Sequence, residues 1–175
     1  VRRAGPSFAK WNVPDCSAIR APFSGAFTVA TRELQCAASD VVALRTRPGV
    51  VAMADLVRST LRLRPDRIIV GEVRGAEALD MLKAWNTGHP GGIATVHANS
   101  AFSALYRLEQ LVQETVVTVP RRLIAEAIDM IVFIAGRGLA RRVETIARVA
   151  GVDPDGGYAV IDLTPPALTH EGELP

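Results

Sequence analysis

Apolar positions along the chain recur with two periods, and their alternation lays out the elements. Met53, Leu56, Val57, Thr60 and Leu61 fall at i, i+3, i+4, i+7 and i+8, one face of an amphipathic helix running into Arg62 and ended by Pro65. Ile68-Ile69-Val70 is a short, wholly apolar, β-branched run, the pattern of a central parallel strand covered on both faces, and it stops at Gly71-Glu72. Helical spacing resumes from Ala76 to Asn86 through Leu79 and Leu82, with Gly88 at the C-terminal cap, and a second apolar run follows at Ile93–Val96. Phe102, Leu105, Leu108, Leu111 and Val112 form the next helical face, with Asn99 or Ser100 as its cap. A further helix is predicted from Pro120 through Leu123, Ile124, Ala127 and Ile128, leading into a buried strand at Met130–Ile134. Two last runs, Arg141–Val149 and Tyr158–Leu163, flank Asp153-Pro154-Asp155-Gly156-Gly157 and predict a terminal β-hairpin.

Strands alternating with helices over short links predict an α/β fold with a mainly parallel sheet, whose ligands sit at the carboxyl ends of the strands. Glu72 and His97, each just past an apolar run, are thereby expected on one edge. Residues 1–28 are broken by Gly5-Pro6, Val13-Pro14, Ala21-Pro22 and Ser24-Gly25 and read as irregular. The domain is expected over 29–164, with a polar tail at 165–175.

Composition narrows the class. With 49% hydrophobic and 22% charged residues in 175, the chain has the make-up of a globular domain. No apolar run approaches the roughly 20 residues of a membrane-spanning helix, and no leader-like apolar segment follows Arg2-Arg3, so a soluble, cytoplasmic protein is expected. Cys16 and Cys36 are too few for a disulfide framework and lack neighbours at metal-binding spacing. The net charge of +2 names no partner.

An apolar strand that delivers Glu72 to the ligand edge offers a carboxylate able to hold a Mg²⁺-bound water or to orient water toward a γ-phosphate. A lone acid there is as readily a solvated strand end, and the surrounding residues tip the balance. Arg62-Leu63-Arg64-Pro65-Asp66-Arg67-Ile68-Ile69-Val70-Gly71-Glu72-Val73-Arg74-Gly75-Ala76-Glu77-Ala78 resembles the Walker B region of type II and type IV secretion traffic ATPases. Thr87-Gly88-His89-Pro90-Gly91-Gly92 through His97-Ala98-Asn99 resembles the histidine box of the same family, and Thr31-Arg32-Glu33-Leu34-Gln35-Cys36 the end of its aspartate box. The wording is most similar to TrbB-type conjugal-transfer members, over roughly Thr31 to Val149.

The resemblance implies a RecA-like P-loop NTPase fold and an ATP-hydrolysing motor using ATP and Mg²⁺. It makes Glu72 the Walker B acid, holding Mg²⁺ through water, and Glu33 and His97 further catalytic residues. Thr95, His89, Arg74 and Arg107 would contact the nucleotide, although for the arginines a surface ion pair is an equally ready explanation. It further implies a ring, hexameric when whole, peripheral at the inner membrane and partnered by secretion or conjugation subunits there, with no sequence-specific nucleic-acid binding.

Two departures qualify this. Phosphate cradling needs Gly-x-x-x-x-Gly-Lys before Ser or Thr, and neither Lys10, between Ala9 and Trp11, nor Lys83, between Leu82 and Ala84, stands in that setting. Val29-Ala30 replaces the acids that usually precede the aspartate-box threonine. With Val1 in place of an initiator Met, these features lead us to expect an incomplete RecA-like fold, a fragment inactive alone, altered upstream of about Val29 by truncation, frameshift or gene decay. Loss of the first strand and helix would expose a sheet edge and favour aggregation. A non-catalytic remnant docking on intact ring subunits is the alternative. A basic nucleic-acid module built on Arg62, Arg64, Arg67, Arg121-Arg122 and Arg141-Arg142 fits less well, because acids interleave and no aromatic platform accompanies them.

Overall fold

The structure, a computed structural model, describes residues 27–29 and 41–166. Four short strands, β1 (Phe27–Val29), β2 (Val41–Ala43), β3 (Arg67–Val70) and β4 (Ile93–Ala94), form a parallel sheet in the order β2-β1-β3-β4. β1 begins at Phe27, inside the stretch that reads as irregular from sequence. Both it and β2 are only three residues long, too short for a period to stand out in the sequence.

β3 is the buried strand that its composition predicts, with Ile68, Ile69 and Val70 all closed to solvent. It is flanked by β1, Thr28 opposite Ile68, and by β4, Val70 opposite Ala94. Four helices complete the covering layers: α1 (Met53–Thr60), α2 (Glu77–Asn86), α3 (Ala101–Gln113) and α4 (Arg121–Ala127). Their apolar stripes meet in one core containing Val57, Leu82, Leu105, Leu111 and Ile124. Each such side chain removed from water contributes about 1.5–3 kcal/mol.

The helix ends follow local chemistry. α1 tightens into a 3₁₀ turn at Leu61–Leu63, and Arg64, just ahead of Pro65, takes a left-handed conformation (φ 52°). Ser100 caps α3, its Oγ accepting from Ser103 N at 3.0 Å. At the edges of the predicted faces, Leu61 and Phe102 are exposed. Phe102 lies edge-on against Tyr106, with ring centroids 5.2 Å apart.

The C-terminal region differs from the expectation in one respect. β6 (Arg142–Val152) and β7 (Tyr158–Asp162) make the predicted hairpin, closed by Asp153 N to Gly157 O at 2.9 Å. β5 (Met130–Ala135) joins them antiparallel, in a separate sheet of order β5-β6-β7. It is not the buried strand read from its apolar run, for Met130, Val132 and Ile134 are exposed on alternate positions. The link at 136–141 is far too short for a parallel crossover, which takes a dozen residues or more. Gly136 turns it at φ 84°, where a Cβ would lie 2.1 Å from the Ala140 carbonyl oxygen. One face of the resulting sheet packs on α3 and α4, and among the described residues Met130, Val132, Ile134 and Ile161 are exposed on the other.

Candidate active site

β3 ends at Val70 and hands the chain to Gly71 and Glu72, while β4 leads directly into Thr95, Val96 and His97. Val96 packs toward the core while Thr95 and His97 point outward together. The two carboxyl ends are adjacent because β3 and β4 pair in parallel, and His97 Nε2 comes to 2.9 Å from Glu72 Oε1.

Glu72 and the backbone around it are held by Arg74, Glu77 and Thr95. Arg74 Nη2 donates to Glu72 Oε2 across the turn. Glu77, in the first turn of α2, accepts from the backbone N–H of Arg74 at 2.6 Å and of Gly75 at 3.1 Å, which fixes the turn that carries Arg74. Thr95 binds the strand on either side of the acid: its Oγ1 donates to Gly71 O at 2.5 Å, and its carbonyl accepts from Val73 N at 2.9 Å.

The Arg74 hydrogen bond holds the Glu72 carboxyl below its ordinary value; partial burial opposes this, and the charge of Arg74 and the neighbouring His97 reinforce it. The group is therefore an anion at neutral pH. Despite the short approach of His97, Glu72 Oε1 is buried and receives no well-aligned hydrogen bond.

The other residues singled out from sequence divide. Arg107 donates to Gln110 Oε1 at 3.0 Å and, with His97, Asn99 and Ser103, lines a surface depression beside the pair. His89 is not part of the cluster: its Nδ1 lies 2.6 Å from Pro65 O, ahead of the start of β3, whereas Glu72 follows its end. It ties the 87–92 loop to the opposite end of the strand. Glu33 lies outside the described residues, as do Cys16, Cys36 and the rest of the aspartate-box stretch.

Two supporting features escape a reading of the sequence alone. Glu77 sits within the Walker B-like wording but shows its role only through its backbone bonds; an acid in a first helical turn is the signal for it. Trp85 donates its indole N–H to Ile68 O at 3.1 Å, bracing α2 on β3. Its ring packs where any side chain on Gly92 would stand.

The fit to Mg²⁺ and ATP is partial. Among the described residues no group of three or more His, Cys, Asp or Glu could enclose a metal ion. A Mg²⁺ ion keeps several of its waters and needs only one or two carboxylates, so a single anionic Glu72 is compatible with holding it through water. The phosphate cradle is another matter, because Lys83 lies within α2 and no glycine-rich loop precedes it.

Residues 30–156 match the family profile of the type II/IV secretion system protein. The conjugal transfer protein TrbB of Rhizobium radiobacter is 54% identical over 121 residues, covering 69% of this chain and 37% of that protein. A probable TrbB of Sinorhizobium fredii is 56% identical over 119 residues, or 68% of this chain and 36% of that one. Among solved structures, the VirB11 ATPase of the Brucella suis type IV secretion system, in complex with sulphate, superposes with a TM-score of 0.61 at 29% identity, over 69% of this chain and 38% of the other. The pilus retraction motor PilT with bound ADP shares the fold, with a TM-score of 0.55 at 21% identity over 87% and 43% of the two chains. The chain thus spans little more than a third of the curated relatives it matches. With most of its length inside the profile, it belongs to the type II/IV secretion system protein family, within an α/β fold of the RecA-like traffic-ATPase kind.

Proposed function

We propose that this chain supplies the water-orienting side of the ATP site in a conjugal-transfer motor of the type IV secretion class, and that the phosphate cradle has to come from polypeptide beyond these 175 residues. The observation that carries the reading is the contact of Glu72 with His97 at the shared carboxyl edge of β3 and β4. When bound, Mg²⁺·ATP supplies the electrophilic phosphorus and a leaving group already neutralised in part by the metal.

The chain's own residues do the rest. Ionised Glu72 accepts hydrogen bonds from a metal-bound or attacking water and thereby sets its direction. Arg74 keeps that carboxylate ionised and fixes one of its oxygens, leaving the other facing His97. A histidine there donates toward a phosphate oxygen and changes partner, between phosphate and Glu72, according to whether phosphate is present. Arg107, at the rim of the same depression, adds positive charge. Glu33 joins as a second acid through the resemblance of its surroundings to the aspartate box, and Thr95 contributes at the same edge, whereas His89, at the other end of β3, stays outside this group.

Assembly as a ring, six subunits in the whole protein, placed in the cytoplasm against inner-membrane transfer subunits, follows from the same membership. Among the described residues no helix is long and apolar enough to cross a membrane. The alternative, a non-catalytic piece that docks on intact subunits, has in its favour that neither lysine stands in a phosphate loop.

A chimera separates the two. The segment 30–156 replaces its counterpart in the Rhizobium radiobacter protein, and ATP-dependent phosphate release is measured beside that of the chain alone. The proposal expects turnover by the chimera, its loss on Glu72→Gln, and no turnover by the chain alone. A chimera that assembles, binds ATP and stays inert establishes the docking alternative instead.

A further inference from the structure

The β3–β4 ladder changes register at the point where Glu72 leaves it. Val70 pairs with Ala94, but the next bond between the strands runs from Val73 N to Thr95 O, so Gly71 and Glu72 together face the single residue Thr95. This is the count of a β-bulge, which re-aims the side chain it displaces. The Gly71 carbonyl accepts from the Thr95 hydroxyl at 2.5 Å. Thr95 is therefore bonded on both flanks of Glu72, and it shares its outward face with His97.

We propose that Thr95 is a positioning residue that holds the bulge carrying Glu72 and so sets the Glu72–His97 contact, in place of the nucleotide contact that resemblance alone suggests. The hydroxyl proton is committed to the Gly71 carbonyl. Without it the Gly71 carbonyl loses its partner, the extra residue relaxes, and Glu72 turns away from His97. Serine keeps the donor; valine keeps the shape and removes it.

The inference rests on reading Glu72 as the water-orienting acid, yet its test needs no nucleotide. Inert chimeras would sink the functional reading and leave this one standing. Nuclear magnetic resonance on the intact chain reads two signals, the ring resonances of His97, assigned with His97→Gln, and hydrogen exchange of the Val73 amide. Thr95→Val is expected to move the His97 resonances while those of His89 hold, and to speed Val73 exchange about fivefold, the loss that one hydrogen bond brings. Thr95→Ser is expected to restore both. His97 resonances in Thr95→Val that superimpose on those of the parent overturn the proposal. Should the valine variant fail to melt cooperatively, Thr95→Ala is read in the same way, and an unprotected Val73 amide in the parent overturns it with no variant at all.

Discussion

Glu109 and Arg121 meet as a two-point ion pair between α3 and α4, Nε to Oε1 at 2.7 Å and Nη2 to Oε2 at 3.2 Å, with Glu109 only 7% exposed. The remaining guanidinium nitrogen, Nη1, donates to Gly156 O at 2.9 Å in the β6–β7 turn, so one arginine fastens both the helix pair and the C-terminal hairpin. Tyr158 packs beside it, 6.0 Å from Tyr106 between ring centroids, and burial together with Glu109 pushes its hydroxyl far above the ordinary tyrosine range. The helix that follows His97 is thus anchored to the antiparallel sheet.

The two halves of this pair differ in exposure, and removing them has unequal effects. Arg121→Ala leaves a buried carboxylate without a partner, whereas Glu109→Gln leaves a guanidinium that reaches water. Thermal melts are expected to show the larger drop for Arg121→Ala, with much of it recovered in the double variant Glu109→Leu, Arg121→Met. Equal drops for the two single changes would contradict this.

Glu72 makes the fold sensitive to acid in a defined direction. Its folded value lies below the ordinary 4.5, so its contribution is complete above that value and is lost as pH falls through the lower, folded one. Carboxyl carbon titration is expected to place its midpoint below 4.5 in the parent and to bring it upward in Arg74→Ala, since the Arg74 hydrogen bond is the main cause.

Gly92 is required for space. A Cβ there would lie 2.1 Å from Trp85 Nε1, so Gly92→Ala must push the indole off the Ile68 carbonyl. Overpacking of this kind costs about 1–3 kcal/mol. Chemical denaturation is expected to show a loss in that range, accompanied by a red shift in the Trp85 emission as the ring meets water, with Trp11→Phe as background.

Ser100 begins α3 directly after the His97-Ala98-Asn99 stretch. Ser100→Ala removes the oxygen that accepts from Ser103 N, a change that costs about 1 kcal/mol. Hydrogen exchange is expected to quicken at Ser103 and Ala104 and to stay unchanged at Leu111, deep in the core.

What the amino-acid order determined by itself is local. The helical faces around Val57, Leu82 and Leu105, the β-branched strand ending at Glu72, the cap at Ser100 and the hairpin turn at Asp153–Gly157 depend on periods and turn chemistry contained within a few neighbouring residues. The tertiary structure decided which distant segments share a surface. It brought His97, already expected on the same edge, to 2.9 Å from Glu72, gave Thr95 two bonds around the bulge, drew His89 to the far end of β3, moved β5 into the antiparallel sheet and joined Glu109 to Arg121. An apolar run has the same composition whether one face or two will be covered, and a polar side chain acquires its partner only when strand pairing and helix packing close the loop between them.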